Sequence, residues 1–231
     1  MSGSEQGQGS VAVLCSGGLD SAVLLAEAAR RESPECVQPL YVSVGFAWEG
    51  EELAMLHRLL VTPPFAGLRS LATLRLDMRD IYPATHWAIR GDPPGFDTPD
   101  SDVYLEGRNA VLLTKAAVFM ARSSLTHVWI GPLAGNPFPD ATPEFFGAMG
   151  RALSLGLAKR IEIAAPFAAL HKADVIKLGD QLRVPLELTL SCMEPLDGRH
   201  CGLCSKCRER RDGFLEAGIE DRTDYRTKPL R

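Results

Sequence analysis

The sequence predicts an α/β protein: a doubly wound, mostly parallel, five-stranded sheet with a cysteine-bearing helical segment at its C-terminal end. Three observations predict it. Short apolar runs rich in β-branched residues alternate with helical stretches through residues 11–185, the pattern of a parallel sheet with helical crossovers. The first run passes through two glycines straight into a helix. Near the other end, Cys192, Cys201, Cys204 and Cys207 stand at C-x8-C-x2-C-x2-C spacing.

Bulk properties set the frame. The 231 residues suffice for one domain and a small appendage. The division expected is a tail at 1–10, an α/β domain at 11–185 and a metal-binding segment at 186–231. Hydrophobic content of 45% and charged content of 23% are those of an ordinary globular protein. A net charge of −4 gives no global basic field, so no nucleic-acid partner is expected. No apolar run reaches the ~18 residues of a membrane span. The first ten residues, MSGSEQGQGS, lack the apolar core of a signal peptide. Six cysteines without an export signal point to the reducing cytoplasm, where clustered cysteines are metal ligands more often than disulfides.

Val11–Cys15 is apolar throughout and reads as a strand buried on both faces. Ser16-Gly17-Gly18-Leu19-Asp20-Ser21 follows, then the helical run Ala22–Ala26. Two glycines let backbone approach a ligand closely, two serines add hydroxyl donors, and the helix start supplies unpaired N–H groups. This is a phosphate or pyrophosphate cradle built from main chain; the plainer alternative is a glycine turn. No lysine follows as in a Walker A loop, and no third glycine as in a dinucleotide fingerprint. The S-G-G-x-D-S form instead resembles the pyrophosphate loop of the ATP pyrophosphatases, which cleave ATP between its α and β phosphates. An anionic Asp20 beside phosphates then implies Mg²⁺.

Further along, Pro39–Val44 reads as a second strand and Glu51–Leu60 as a helix with Leu53, Leu56, Leu59 and Leu60 on one face. Ligands of such sheets lie at the carboxyl ends of the strands, where strand order reverses. Topology therefore puts adenine near Ser43–Phe46. Leu71–Leu76 is a third strand. Ile81–Asp102, with Pro83, Pro93, Pro94 and Pro99 and no regular period, reads as a loop, either a lid or a surface insertion. Ala110–Ala121 is a helix, and Arg108-Asn109 at its start can hold an anionic group. Thr126–Ile130 is a fourth strand, and the loop Gly131–Asp140 leaves it. There Asn136 and Asp140 are candidates for substrate or metal contact, with Asp140 alternatively capping the helix Pro143–Leu155. Arg160–Ile163 is the fifth strand. Lys172 opens the helix to Leu182, where it can reach phosphate.

The four spaced cysteines supply four sulfurs, which make a closed, structural zinc site without an open position. An iron–sulfur cluster is the competing reading. His200 is a bystander and Cys15 a small core residue. Ser205–Ala217 reads as a helix carrying Lys206, Arg208, Arg210 and Arg211, a solvated basic face or a docking site for an anionic partner.

Together these motifs resemble the 7-cyano-7-deazaguanine synthases of queuosine biosynthesis. Gly107-Arg108-Asn109, Pro143-Glu144-Phe145, Lys172–Ile176, Thr189–Cys192, Cys201–Cys204, Phe214 and Gly218-Ile219 also fit, so the likeness spans Val11 to Tyr225. It implies an adenine nucleotide alpha hydrolase-like fold, one zinc per chain and a homodimer. It also implies conversion of 7-carboxy-7-deazaguanine to the nitrile with ATP and ammonia, through adenylation. Carried over, Ser16, Gly17, Gly18, Leu19, Asp20, Ser21 and Asn109 would bind nucleotide. Asp20, Lys172 and Arg108 would serve the chemistry. The chain departs from the family where D-Y-S-G-Y-P-D-C-R is usual: Ala134–Thr142 keeps Pro139 and Asp140 alone. Phe46-Ala47-Trp48 replaces Q-R-H, and Met193 an aromatic. The expectation is thus stronger for adenylation than for the usual acceptor. Two other classes stay open: another pyrophosphatase-loop enzyme, such as a tRNA-modifying sulfur transferase, and a non-catalytic zinc-bearing binding module.

Overall fold

The structure, a computed structural model, describes residues 10–228; the expected tail lies outside them but for Ser10. Five strands form one sheet in the order β3-β2-β1-β4-β5, and every pairing is parallel. They are β1 (Val11–Leu14), β2 (Val37–Ser43), β3 (Ala72–Arg75), β4 (His127–Trp129) and β5 (Glu162–Ala164). The helices are α1 (Leu19–Arg31), α2 (Glu49–Leu60), α3 (Trp87–Arg90), α4 (Arg108–Ala121), α5 (Pro143–Leu157), α6 (Lys172–Gln181) and α7 (Ser205–Ala217). No helix among the described residues is long and apolar enough to cross a membrane.

Alternation along β1 explains the two layers. Ala12 and Leu14 face one core, with α4 and Phe146 of α5. Val11, Val13 and Cys15 face the other, with α1, α6 and Phe214 of α7. The chain winds outward from β1 to β3, then crosses back to β4 on the other side of β1. The reversal opens a crevice between the loops after β1 and β4, as a doubly wound sheet requires.

Two readings of the sequence change in detail. Ile81–Asp102, expected as a lid or a surface insertion, is an anchored stretch with Trp87 at the cavity wall. Tyr82 and Ala88 are buried, α3 lies within the stretch, and a 3-10 turn covers Asp100–Val103. Arg208 of α7 grips it, Nη1 donating to the Phe96 and Thr98 carbonyls at 2.6 and 2.8 Å and Nη2 to Asp100 Oδ1 at 2.8 Å. The second correction is α7 itself: Arg210 is 1% exposed and no part of a solvated face.

The layer of α1, α6 and α7 packs through two glycines. A Cβ on Gly179 would stand 2.7 Å from Val23 Cγ2 and 3.0 Å from Leu186 Cδ2. Gly179→Ala is therefore expected to lower the urea midpoint. Overpacking costs about 1–3 kcal/mol, while better helix propensity returns up to about 1 kcal/mol. An unchanged or raised midpoint would show that α1 and α6 part without cost.

Candidate active site

After β1 the chain turns through Ser16–Gly18 into α1. Gly17 has φ +77°, and a Cβ there would lie 3.0 Å from the Glu52 carbonyl oxygen, so backbone conformation and space both demand glycine. The two serines brace the turn. Ser21 Oγ donates to the Gly18 carbonyl at 3.0 Å and accepts from Ser16 N–H at 3.2 Å. Ser16 Oγ accepts from Gly18 N–H at 3.3 Å. The N-cap Gly18 makes no side-chain hydrogen bond. The first-turn N–H groups of Leu19, Asp20 and Ser21 thus have no intrahelical partner, and these residues line a cavity of about 300 Å³.

Lys172, the first residue of α6, reaches into this cavity. Its Nζ donates to Asp20 Oδ1 and Oδ2 at 2.8 and 2.6 Å and pairs with Glu209 Oε1 at 2.6 Å. Glu209 Oε2 in turn accepts from Lys206 Nζ at 2.6 Å. Burial pushes Lys172 down, but Asp20 and Glu209 outweigh it and hold the ammonium above the ordinary lysine range. Burial likewise raises Glu209, yet Lys172 and Lys206 keep it well below the usual carboxylate range. Gly213 makes room for the lysine stem, since a Cβ there would fall 2.3 Å from Lys172 Cγ.

Arg108 at the start of α4 lines the same cavity. Its Nε is buried with no hydrogen-bond partner among the described residues, a donor that calls for an acceptor. Asn109 beside it is engaged within the protein. Its N–H donates to Asp140 Oδ2 at 3.0 Å and its Nδ2 to the Asp140 carbonyl at 3.1 Å. Asp140 therefore caps α4, while Thr142 caps α5 by accepting from Phe145 N–H. The N–H groups of Val44 and Gly45, in the stretch expected beside adenine, are taken by the Glu49 carboxylate at 2.7 and 3.1 Å. Around them stand stacked rings: Trp48 on Trp87 at 5.6 Å, and Tyr104 on Phe138 at 5.0 Å.

The four spaced cysteines converge. Their sulfurs lie within 4.8 Å of one another and all four residues are buried. Cys207 Sγ is 3.6 Å from Cys204 Sγ and 3.9 Å from Cys201 Sγ. A tetrahedral ion with metal–sulfur bonds of ~2.3 Å spaces its sulfurs by ~3.8 Å, so the donor set fits. Mutual hydrogen bonds lower Cys201 and Cys204 and raise Cys192 and Cys207, so the four thiols share their protons as one group; Cys192 Sγ accepts from the N–H groups of Cys201 and Glu194. His200 stays outside. Its Nε2 accepts from Ser191 N–H at 3.1 Å, and burial takes it down to about 3, so the ring is neutral.

The structure thus brings Ser16, Gly18, Leu19, Asp20, Ser21, Arg108, Asn109 and Lys172 to one cavity, and the cysteine cluster stands beside it with Cys192 in the cavity wall. Sequence reasoning named Lys206 and Arg210 only as members of a basic helix face and passed over Glu209; Lys206 and Glu209 stand at the cavity and Arg210 behind it. Arg210 donates to the Leu186 carbonyl at 2.6 Å, Thr189 Oγ1 at 2.8 Å and Thr223 Oγ1 at 2.6 Å. A signal existed: Cys204, Cys207 and Phe214 mark the buried face of α7 at helical spacing, and Arg210 falls on that face.

This order of strands, with a glycine loop at the sheet's reversal point, defines the class of doubly wound α/β folds with a ligand crevice at the switch point. Two solved structures share the fold. A nicotinamide mononucleotide (NMN) synthetase from Francisella tularensis gives a TM-score of 0.51 at 16% identity, covering 94% of this chain and 79% of that one. A U34-tRNA thiolase from Methanococcus maripaludis, solved with its iron–sulfur cluster, gives 0.52 at 12%, covering 94% and 75%. Within that class the chain belongs to the family of the queuosine biosynthesis protein QueC, whose model matches residues 94–218. It is 36% identical to a 7-cyano-7-deazaguanine synthase from Methanothrix thermoacetophila, across 94% of this chain and 99% of that protein. It is 35% identical to one from Anaeromyxobacter dehalogenans, across 92% and 94%.

Glu52 lies behind Trp48 in the same cavity and accepts from Tyr41 Oη at 3.1 Å and Trp48 Nε1 at 3.2 Å. Burial pushes its carboxyl from 4.5 up to about 7, with Arg108 opposing. The folded state therefore holds this proton more tightly than the unfolded state. The resulting stability is full below pH ~4.5 and is lost as pH rises through about 7, on the order of 3 kcal/mol. Wild type should lose urea stability relative to Glu52→Gln between pH 5 and 8. Parallel pH profiles would contradict the shift.

Proposed function

We propose that the chain is an ATP-dependent carbon–nitrogen ligase that adenylates a carboxylate and joins it to ammonia, with a 7-carboxy-7-deazaguanine-type acid as acceptor and the nitrile as product. One observation carries this reading: the uncapped N–H groups of the glycine loop, Asp20 and Lys172 meet in one aromatic-walled cavity that also holds an unpaired Arg108. The names of the relatives support the acceptor class. The residues that depart from the family's usual pattern, Phe46, Trp48 and Phe138, line the cavity, which supports a planar acceptor held largely by apolar contact.

Attack on an α phosphate needs alignment and charge neutralisation more than covalent help. A carboxylate oxygen of the acid bonds the α phosphorus and pyrophosphate leaves. Ammonia nitrogen then bonds the acyl carbon, AMP leaves, and an amide remains. The amide oxygen then bonds the α phosphorus of a second ATP as pyrophosphate leaves, and loss of AMP and two protons gives the nitrile. In this scheme the N–H groups of Leu19–Ser21 bind the leaving pyrophosphate, and Lys172 and Arg108 balance its charge. Asn109 serves by holding Asp140 and the start of α4. Asp20 keeps free lone pairs on both oxygens beside Lys172. It fits the usual magnesium arrangement of one carboxylate plus substrate phosphates, where the ion would neutralise phosphate charge. Cys192, Cys201, Cys204 and Cys207 would hold zinc as a structural ion, fixing the start of α7. The homodimer and the cytoplasmic location belong to this reading too.

The test is incubation with ATP, Mg²⁺, ammonium and 7-carboxy-7-deazaguanine, following AMP and product mass. AMP and the nitrile mass are expected together, with AMP formation falling about 100-fold or more in Asp20→Ala while metal content holds and the protein stays folded at the assay temperature. AMP with the acid unchanged in mass would mean another acceptor. No AMP, or full turnover in Asp20→Ala, would overturn the reading.

A further inference from the structure

Four charged groups of alternating sign run in a row from the glycine loop to α7: Asp20, Lys172, Glu209, Lys206. Each link is 2.6 Å at its shortest, and all four residues line the cavity. Their formal charges sum to zero. We propose that Lys206 and Glu209 complete the phosphate site. Lys206 is a cation that contacts the polyphosphate end of the nucleotide. Glu209 is a positioning residue that holds both lysines until phosphate replaces it.

The donor inventory separates the two lysines. An ammonium has three N–H groups. Lys172 directs them at two oxygens of Asp20 and one of Glu209, so little of it is left for phosphate while those partners stay. Lys206 meets Glu209 alone among the contacts of the described residues, and its side chain is 32% exposed against 15% for Lys172. It therefore has donors to offer a ligand in the cavity. Its place is fixed by the fold, since it sits between Cys204 and Cys207 in the first turn of α7. A cysteine cluster that orders those two residues orders Lys206 as well. A pyrophosphate group at the uncapped N–H groups of α1 brings several negative charges beside Glu209. The two anions then compete for the same ammoniums, and the phosphate has more oxygens with which to bind them.

This inference rests on the nucleotide reading of the loop, and it makes predictions of opposite sign. In calorimetric titrations of the full-length, metal-loaded protein, Lys206→Met should weaken ATP and pyrophosphate binding about tenfold, the size of one charged hydrogen bond, and leave AMP unaffected. Glu209→Gln, which leaves the row with a net positive charge, should tighten pyrophosphate several-fold. Lys206→Arg should keep most of the wild-type affinity. Equal ATP affinity in wild type and Lys206→Met, an equal loss for AMP, or weaker pyrophosphate binding in Glu209→Gln would overturn the inference while leaving the nucleotide reading intact. Wild type that binds no ATP would overturn both. If Lys206→Met loses its metal or its melting temperature, the Glu209→Gln titration decides alone.

Discussion

A mostly buried ammonium between two carboxylates is the interaction on which this architecture depends. Lys172 joins Asp20, 152 residues away in sequence, to Glu209 of α7. Removing one partner of a fully buried ion pair costs about 3–5 kcal/mol, and less here because Lys172 keeps 15% of its side chain exposed. The pair also dictates its surroundings. Gly213 must lack a side chain for the lysine stem to pass, and Gly17 must lack one for the loop to lie against α2. These glycines let three distant pieces of chain reach the same cavity.

The segment after residue 185 is tied directly to the α/β layers. Leu190 N–H donates to the Gly17 carbonyl at 2.8 Å. Arg210 gathers Leu186, Thr189 and Thr223, and its guanidinium lies 5.2 Å over the Phe214 ring. Four sulfurs close the knot. A buried arginine is tolerated because its donors find acceptors. The cysteine cluster and this arginine together hold the start of α7 against the glycine loop, so the four cysteines bear on the cavity beside them.

Much of this was legible in the sequence, for physical reasons. The parallel sheet follows from apolar runs too short for helices and flanked by helical stretches. The cradle follows from glycines that only one backbone geometry explains, and the cluster from cysteine spacing. What escaped were contacts between elements distant in sequence. Lys206 reads as part of a basic face, and Glu209 draws no notice, because helical spacing says nothing of what α7 lies against. Asn109 reads as a ligand for nucleotide because its acceptor, Asp140, comes 31 residues later. The stretch 81–102 has no long periodicity because Arg208 and the buried Tyr82, rather than a long helix or strand, hold it in place. Local chemistry shows in local sequence, whereas the choice of partner is made by packing.

The claim most exposed to test is that the glycine loop and the cysteine-bearing helix form a single phosphate site. A crystal structure with a non-cleavable α,β-methylene analogue of ATP addresses it directly. The result expected is a triphosphate on the N–H groups of Leu19–Ser21, with Lys172 and Lys206 both within hydrogen-bond distance of its oxygens and Glu209 turned away. A nucleotide bound elsewhere, or one on the loop with α7 untouched, would contradict it.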